Sequence, residues 1–355
     1  MDQTTIRRRK LGLIDRKKDK MSMGYTLYAT QTGKGIVDII DRDGNKVHAW
    51  NMPVRPGRDA VLLPNGNLGY NGSHEKSMEL YPAWDIWHGG HFIEVTPYGE
   101  VVWEYEDPYH HHDAVWLRNG NLLYTAAQRI PDGFYPGKKD IIGDVVKEVN
   151  RQGDVVWEWK SWERLDIDKF KIHECFSEDH WPMINGLSVT DRGNVLMSLR
   201  TTSGIICVDR SVQNGSIIWS FEYPNVAQQH CPIQLFNGNI ACFDNGNLRP
   251  NSIHHSRIIE FVPITKKIVW SYVDPMPPAF FSPYMGSVQQ LWNENFLVCE
   301  SAFGRIFEIT KDKEIVWEYV IPDFAEYTAP LNKFITGLHN SCFKAHHYEF
   351  ISWLG

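Results

Sequence analysis

Six short β-type phrases in this chain each end in a tryptophan, and their spacing restricts the fold more than any other feature. They are Lys46-Val47-His48-Ala49-Trp50, Val101-Val102-Trp103-Glu104-Tyr105, Val155-Val156-Trp157-Glu158-Trp159, Ile217-Ile218-Trp219-Ser220-Phe221, Ile268-Val269-Trp270-Ser271-Tyr272 and Ile315-Val316-Trp317-Glu318-Tyr319. Successive tryptophans lie 53, 54, 62, 51 and 47 residues apart, and a turn of the Asn-Gly-Asn kind follows five of the six phrases. A period of roughly 40–50 residues filled with short strands and turns is the signature of propeller blades. The fold class expected is therefore all-β: a six-bladed β-propeller of four-stranded antiparallel blades.

The repeat from Asp113 to Trp159 shows the grammar of one blade. Ala114-Val115-Trp116-Leu117 reads as an inner strand, and Asn119-Gly120-Asn121 supplies the positive φ of a tight turn. Leu122-Leu123-Tyr124-Thr125 forms the second strand, the run Asp144 to Val149 the third, and the phrase ending at Trp159 the outer strand. The first repeat has no inner strand of its own. Its missing strand is expected from the C-terminal segment near Phe334 to Phe343, so that the two ends of the chain pair and close the ring without exposed edges. Residues 1–22, with Arg7-Arg8-Arg9-Lys10 and Arg16-Lys17-Lys18, read as a basic solvated tail, and residues 23–355 as a single propeller domain. Insertions near 73–90, 129–143 and 161–183 interrupt the repeat.

The net charge of −7 and the dispersed basic residues argue against a nucleic-acid partner. No apolar run approaches the roughly 18 residues of a membrane span, and no apolar stretch follows the N-terminal basic residues. A cytoplasmic protein without membrane partners is expected. The six cysteines (Cys175, Cys207, Cys231, Cys242, Cys299 and Cys342) form no CxxC pair and read as buried thiols.

The leading ends of inner strands converge in a propeller, so residues there are the candidates for chemistry. In order these ends are Arg58-Asp59, His110-His111-His112-Asp113, Met183-Ile184-Asn185, Gln229-His230, Gly286-Ser287 and His339-Asn340. Histidine suits nucleophilic or acid–base work near neutral pH, and equally metal ligation. Arg200 ends the second strand of its blade in apolar company, where its planar fork suits a sulfate, phosphate or carboxylate.

These phrases resemble the arylsulfotransferase family, the 3′-phosphoadenylyl-sulfate-independent enzymes built on a six-bladed propeller. The resemblance rests on His111-His112-Asp113 followed by Leu117-Arg118-Asn119-Gly120-Asn121, on Ser198-Leu199-Arg200, and on Gln229-His230 followed by Asn237-Gly238-Asn239 and Phe243-Asp244-Asn245-Gly246. The phrase Cys342-Phe343-Lys344-Ala345-His346-His347-Tyr348 extends it to the C-terminus. The resemblance implies a histidine that takes the sulfuryl group of an aryl sulfate and passes it to a phenol. It places the nucleophile on His230, a supporting histidine on His112 or its neighbour His111, and the sulfate-binding arginine on Arg200. It also implies a divergent member, because the family's histidine two residues before Asn185 is here Met183, whose thioether neither donates a hydrogen bond nor carries charge. His180 or His173, from the adjoining insertion, would have to replace it.

On this reading the substrate is a small aromatic molecule held by His111, Met183, Asn185, His180, Trp84, Tyr135 and His339, and no cofactor is required. A second reading keeps the propeller and uses His112, His180, His230 and His339 as ligands of zinc, copper or iron in a lyase, isomerase or oxygenase. A third is a non-enzymatic binding propeller. Retained transition metal separates the second from the first, and funnel histidines dispensable for binding mark the third.

Overall fold

The computed structural model describes residues 10–32, 34–77, 89–135, 140–176, 179–327, 331–333 and 335–354. The chain divides into two compact units, Met1–Pro108 with Ala279–Gly355, and Tyr109–Pro278.

The first unit begins with β1 (Gly12–Arg16), β2 (Tyr25–Thr30), β3 (Ile36–Asp41), β4 (Lys46–Asn51), β5 (Pro56–Leu62), β6 (Leu68–Ser73), β7 (Gly90–Val95) and β8 (Val101–Glu106). The second contains β9 (His110–Trp116), β10 (Leu122–Arg129), β11 (Ile142–Val149), β12 (Val155–Lys160), the one-turn helix α1 (Ser161–Arg164) and β13 (His180–Trp181). It continues through β14 (Ile184–Val189), β15 (Val195–Leu199), β16 (Gly204–Val208), β17 (Ile217–Glu222), β18 (His230–Gln234), β19 (Ile240–Asp244), β20 (Arg257–Val262) and β21 (Lys267–Tyr272). The chain then returns to the first unit in β22 (Ser287–Gln290), β23 (Phe296–Glu300), β24 (Arg305–Ile309), β25 (Ile315–Val320) and β26 (Cys342–Tyr348).

These strands form six sheets of four or five strands: β26-β2-β3-β4, β5 to β8, β9 to β12 with β13 added on β11, β14 to β17, β18 to β21, and β22 to β25 with β1 added on β25. That is the blade complement of a six-bladed β-propeller. The first blade is completed by both ends of the chain, since β26 pairs antiparallel with β2 from Tyr25↔Tyr348 to Thr30↔Cys342. The closing strand begins later than the expected Phe334. The alternating burial that a half-covered strand requires starts only at Cys342. Within the stretch expected as a basic tail, Gly12–Arg16 pairs with β25.

Two devices recur from blade to blade. First, the asparagines of the turn between strands one and two clamp a glutamate on strand three. Asn65 and Asn67 donate to Glu94 Oε1 at 3.0 and 2.7 Å, and Asn237 and Asn239 to Glu260 Oε1 at 3.0 and 2.7 Å. Asn121 donates to Glu148 and Asn295 to Glu308, each at 2.7 Å. An arginine reaches two of these carboxylates as well, Arg210 at Glu148 and Arg42 at Glu308. Second, the phrase tryptophan staples its blade to the next. Trp50 Nε1 donates to Thr96 O at 3.0 Å, Trp157 Nε1 to Val212 O at 2.7 Å and Trp317 Nε1 to Arg42 O at 3.0 Å. An indole N–H must find an acceptor when buried, so each staple also fixes blade spacing.

Apolar residues fill the space between sheets. Trp159, Trp181, Ile184 and Met197 lie in the largest core cluster of the second unit, and Phe221 stacks on Phe261 with centroids 3.9 Å apart. Five cysteines are buried as expected, whereas Cys175, in an insertion, is exposed. Among the described residues no helix is long and apolar enough to cross a membrane.

Candidate functional site

The site lies within the second unit, on the inner strands of its three blades. Asp113 of β9 accepts the Leu187 N–H of β14 at Oδ2 (2.7 Å), and Asn185 of β14 donates Nδ2 to Gln229 O at 3.0 Å, at the entry of β18. Ser198 Oγ donates to the same carbonyl at 2.8 Å. These bonds hold the three strand entries side by side. The backbone is left-handed there: φ is 56° at His112, 60° at Met183, 57° at Gln228 and 46° at Cys231. Side chains other than glycine pay for such φ values, and the cost is met where surrounding bonds over-determine the chain.

Within this frame His111 and His112 share a hydrogen bond between their Nδ1 atoms at 2.8 Å. On its other side His111 Nε2 stands 2.9 Å from Asp144 Oδ1, and His180 Nε2 meets the same oxygen at 2.8 Å. His111, Asp144 and His180 are 0, 0 and 1% exposed, so water contributes little to this cluster. Burial alone would raise the carboxyl pKa, but the His180 and His111 imidazoles outweigh it and hold Asp144 well below the usual carboxylate range. Burial pushes the His111 imidazole down, against the pull of Asp144, and so favours its neutral form.

His230, buried at the start of β18, places Nδ1 2.7 Å from Asn245 Oδ1. Because a carboxamide oxygen only accepts, His230 carries a proton on Nδ1, and in the neutral imidazole the lone pair therefore lies on Nε2. Arg200 follows β15. Its N–H donates to Met183 O at 2.9 Å, its Nη1 lies 3.8 Å from Met183 Sδ, and its guanidinium sits 5.0 Å from the centre of the Phe176 ring. Part of its surface remains exposed, yet burial lowers its pKa to about 10, so it stays cationic at neutral pH. Asn185 is fully buried, and its Oδ1 has no hydrogen-bond partner among the described residues.

Residues 10–226 match the family profile described as Arylsulfotransferase (ASST). The chain belongs to the arylsulfotransferase family. The matched span contains His111, His112, Met183, Asn185 and Arg200 and ends before His230. No curated protein matches the chain. Among solved structures, a protein of unknown function from Bacteroides caccae is similar with a TM-score of 0.55 at 14% identity, over 83% of this chain and 93% of that one. A streptogramin B lyase gives a TM-score of 0.49 at 13% identity, over 90% of this chain and 86% of that one. At 14% identity the likeness to the Bacteroides caccae protein concerns the fold alone.

Several expected site residues are placed differently. His180 does not replace the arylsulfotransferase histidine at Met183, because its Nε2 is taken by Asp144. His173 does not either: its Nε2 bonds Ser203 Oγ at 3.0 Å and its ring leans on Tyr223. Tyr135 packs on the hydrophobic core of its blade. His339 belongs to the first unit, where Nε2 approaches Thr336 O at 3.2 Å and the ring rests on Tyr327. Trp84 lies outside the described residues. The metal set expected from His112, His180, His230 and His339 is also corrected. Among the described residues, the group of three metal-type donors lying within 4.8 Å of one another is His111, Asp144 and His180.

Asp144 is the residue that sequence reasoning passed over, as an ordinary strand position. A signal was present. Aligned on the clamped glutamates, the residue four places earlier is Gly90, Ser256 or Gly304 in three blades and Asp144 in this one.

Proposed function

We propose that this chain catalyses sulfuryl transfer from an aryl sulfate to a phenol, with His230 as the nucleophile. The observation that carries the reading is the His230–Asn245 bond, which puts a proton on Nδ1 and leaves Nε2 of the buried imidazole as the nitrogen that can attack. In the first half-reaction Nε2 forms a bond to sulfur while the sulfur–oxygen bond to the aryl group breaks. The phenolate leaves and takes a proton from solvent. In the second, the acceptor phenol loses its proton to solvent as its oxygen attacks sulfur, and the nitrogen–sulfur bond breaks to restore His230. Arg200 supplies positive charge for the sulfuryl oxygens, and His112 a donor in the tautomer that carries its proton on Nε2, where fixed donors lower the barrier most. Asn185 Oδ1 offers an acceptor for the phenol hydroxyl. Met183 contributes shape and polarisability where other members place a histidine, so anion stabilisation rests more heavily on Arg200.

The test is release of 4-nitrophenol from 4-nitrophenyl sulfate in the presence of a phenol acceptor. Ping-pong kinetics and an acid-labile sulfated imidazole are expected. His230→Ala should abolish turnover. Arg200→Ala should lower kcat by about 10²–10³-fold. Undiminished turnover in His230→Ala would overturn the assignment.

A further inference from the structure

We propose that His111 Nε2, His180 Nε2 and Asp144 Oδ1 are ligands for one first-row divalent cation, zinc by preference, and that this ion sets which nitrogen of His112 carries its proton. The three donors come from separate segments, and the chain takes a detour to bring them together. The 161–183 insertion returns as β13, a two-residue strand that pairs parallel with the start of β11 (Ile142↔His180 and Gly143↔Trp181). Its placement is fixed by Trp181, whose Nε1 donates to Phe170 O at 2.6 Å within the core. Asp144 Oδ2 accepts the Ile184 N–H at 3.1 Å, and Oδ1 is the oxygen turned toward both imidazoles.

Chemistry and size agree. Two imidazoles and one carboxylate are a frequent three-residue set for zinc, which keeps a fourth position for water or substrate. Ligands about 2.0–2.2 Å from a tetrahedral ion stand roughly 3.3–3.6 Å from one another. The observed 2.8 and 2.9 Å need to widen by roughly 0.4–0.8 Å to admit it, and all three donors already lie within 4.8 Å of one another. With both imidazoles neutral the cluster carries one buried negative charge, which a divalent cation would offset.

The shared Nδ1–Nδ1 bond carries the consequence. Without metal, the 2.9 Å approach of Asp144 Oδ1 favours a proton on His111 Nε2; His111 Nδ1 then accepts from His112 Nδ1–H and the lone pair of His112 lies on Nε2. With metal on His111 Nε2, the proton moves to His111 Nδ1, which donates to His112, and His112 becomes an Nε2–H donor. Metal-bound imidazoles commonly act through such outer hydrogen bonds. The role of that donor toward sulfuryl oxygens rests on the sulfuryl-transfer reading, but metal binding does not.

The test uses the full chain, purified without a histidine tag, loaded with zinc and desalted. Elemental analysis should find about one zinc per chain, falling below about 0.1 in Asp144→Asn and His180→Gln. Zinc should raise the Tm of the wild type, and cobalt(II) should give visible d–d bands that zinc removes; these measurements stand even where a variant fails to fold. Imidazole ¹⁵N spectra should show His112 as Nε2–H with zinc and Nδ1–H after chelation. Wild type that retains no zinc and gives no cobalt bands overturns the metal site. A folded Asp144→Asn that binds zinc like wild type overturns the ligand set, and a His112 tautomer indifferent to zinc overturns the coupling. None of these readouts depends on turnover, so failure of sulfuryl transfer remains distinguishable.

Discussion

Four blades place a clamped glutamate on their third strand, and the residue four positions before it differs: Gly90, Asp144, Ser256 and Gly304. At Gly90 and Gly304 φ is positive, and a Cβ would stand 2.3 Å from Asp107 O and Asn340 O respectively. Those two blades have no room for a side chain. Ser256 donates Oγ to Asn245 O at 3.1 Å and so steadies the strand end that holds His230. Asp144 goes further, with one oxygen between two imidazoles and the other on Ile184 N–H. The scaffold therefore varies at one register position, from a bare backbone contact to a buried charge, while the clamp beside it stays constant.

The clamp carries the largest of these effects. Glu308→Ala strands the buried Arg42 guanidinium, which lies 4.0 Å from the Trp317 ring centre, and should cost about 3–5 kcal/mol in denaturant unfolding. Glu148→Ala should cost less, about 1–2 kcal/mol, because Arg210 keeps contact with solvent. Equal losses would show that burial of the arginine is not what distinguishes the two clamps.

Acid should act next. Burial, with help from Arg42, lowers His347 to about 4. A histidine whose folded pKa lies below its unfolded value stabilises the fold above the unfolded value, and that contribution is lost as pH falls through the folded one. About 3 kcal/mol should therefore disappear between roughly pH 6.5 and 4. His347→Gln should flatten the slope in that window, measured as unfolding free energy against pH. Asp144, depressed by its imidazoles, adds a separate loss only below the ordinary carboxylate range.

Smaller effects come from the variable position itself. Asp144→Gly leaves Ile184 N–H and two imidazoles without their acceptor and should cost about 2 kcal/mol, whereas Ser256→Gly should cost about 1 kcal/mol. If the serine change proves the costlier, Asp144 is not the more deeply integrated of the two.

Much of the scaffold was legible in the chain. The tryptophan phrases and Asn-Gly-Asn turns announce six blades because staple and clamp need those residues at those places. Pairing of the two chain ends followed from a first blade lacking its inner strand, although the start of β26 had to come from burial alternation. The site was less legible. His111, His112, Met183, Asn185 and His230 stand out because ionisable or unusual residues fall at strand entries, and Arg200 because it ends a strand in apolar company. The partners that decide their chemistry, Asp144 and Asn245, sit in third-strand and turn positions that read as ordinary. Proximity across strands, as between Asp144 and His180, leaves no mark in linear spacing.

The pairing of β26 with β2 also sets a timetable for synthesis. The first blade is begun within about fifty residues, yet its inner strand is not made until Tyr348. At roughly 5–20 residues per second, β2 waits about 15–60 s with an open edge while the rest of the chain is made. Throughout that interval the nascent chain offers a strand edge that any neighbouring polypeptide can pair with. A premature stop before Cys342 would make the interval permanent. Such truncated chains should be ready clients for holding chaperones, even though five of the six blades are already encoded in full.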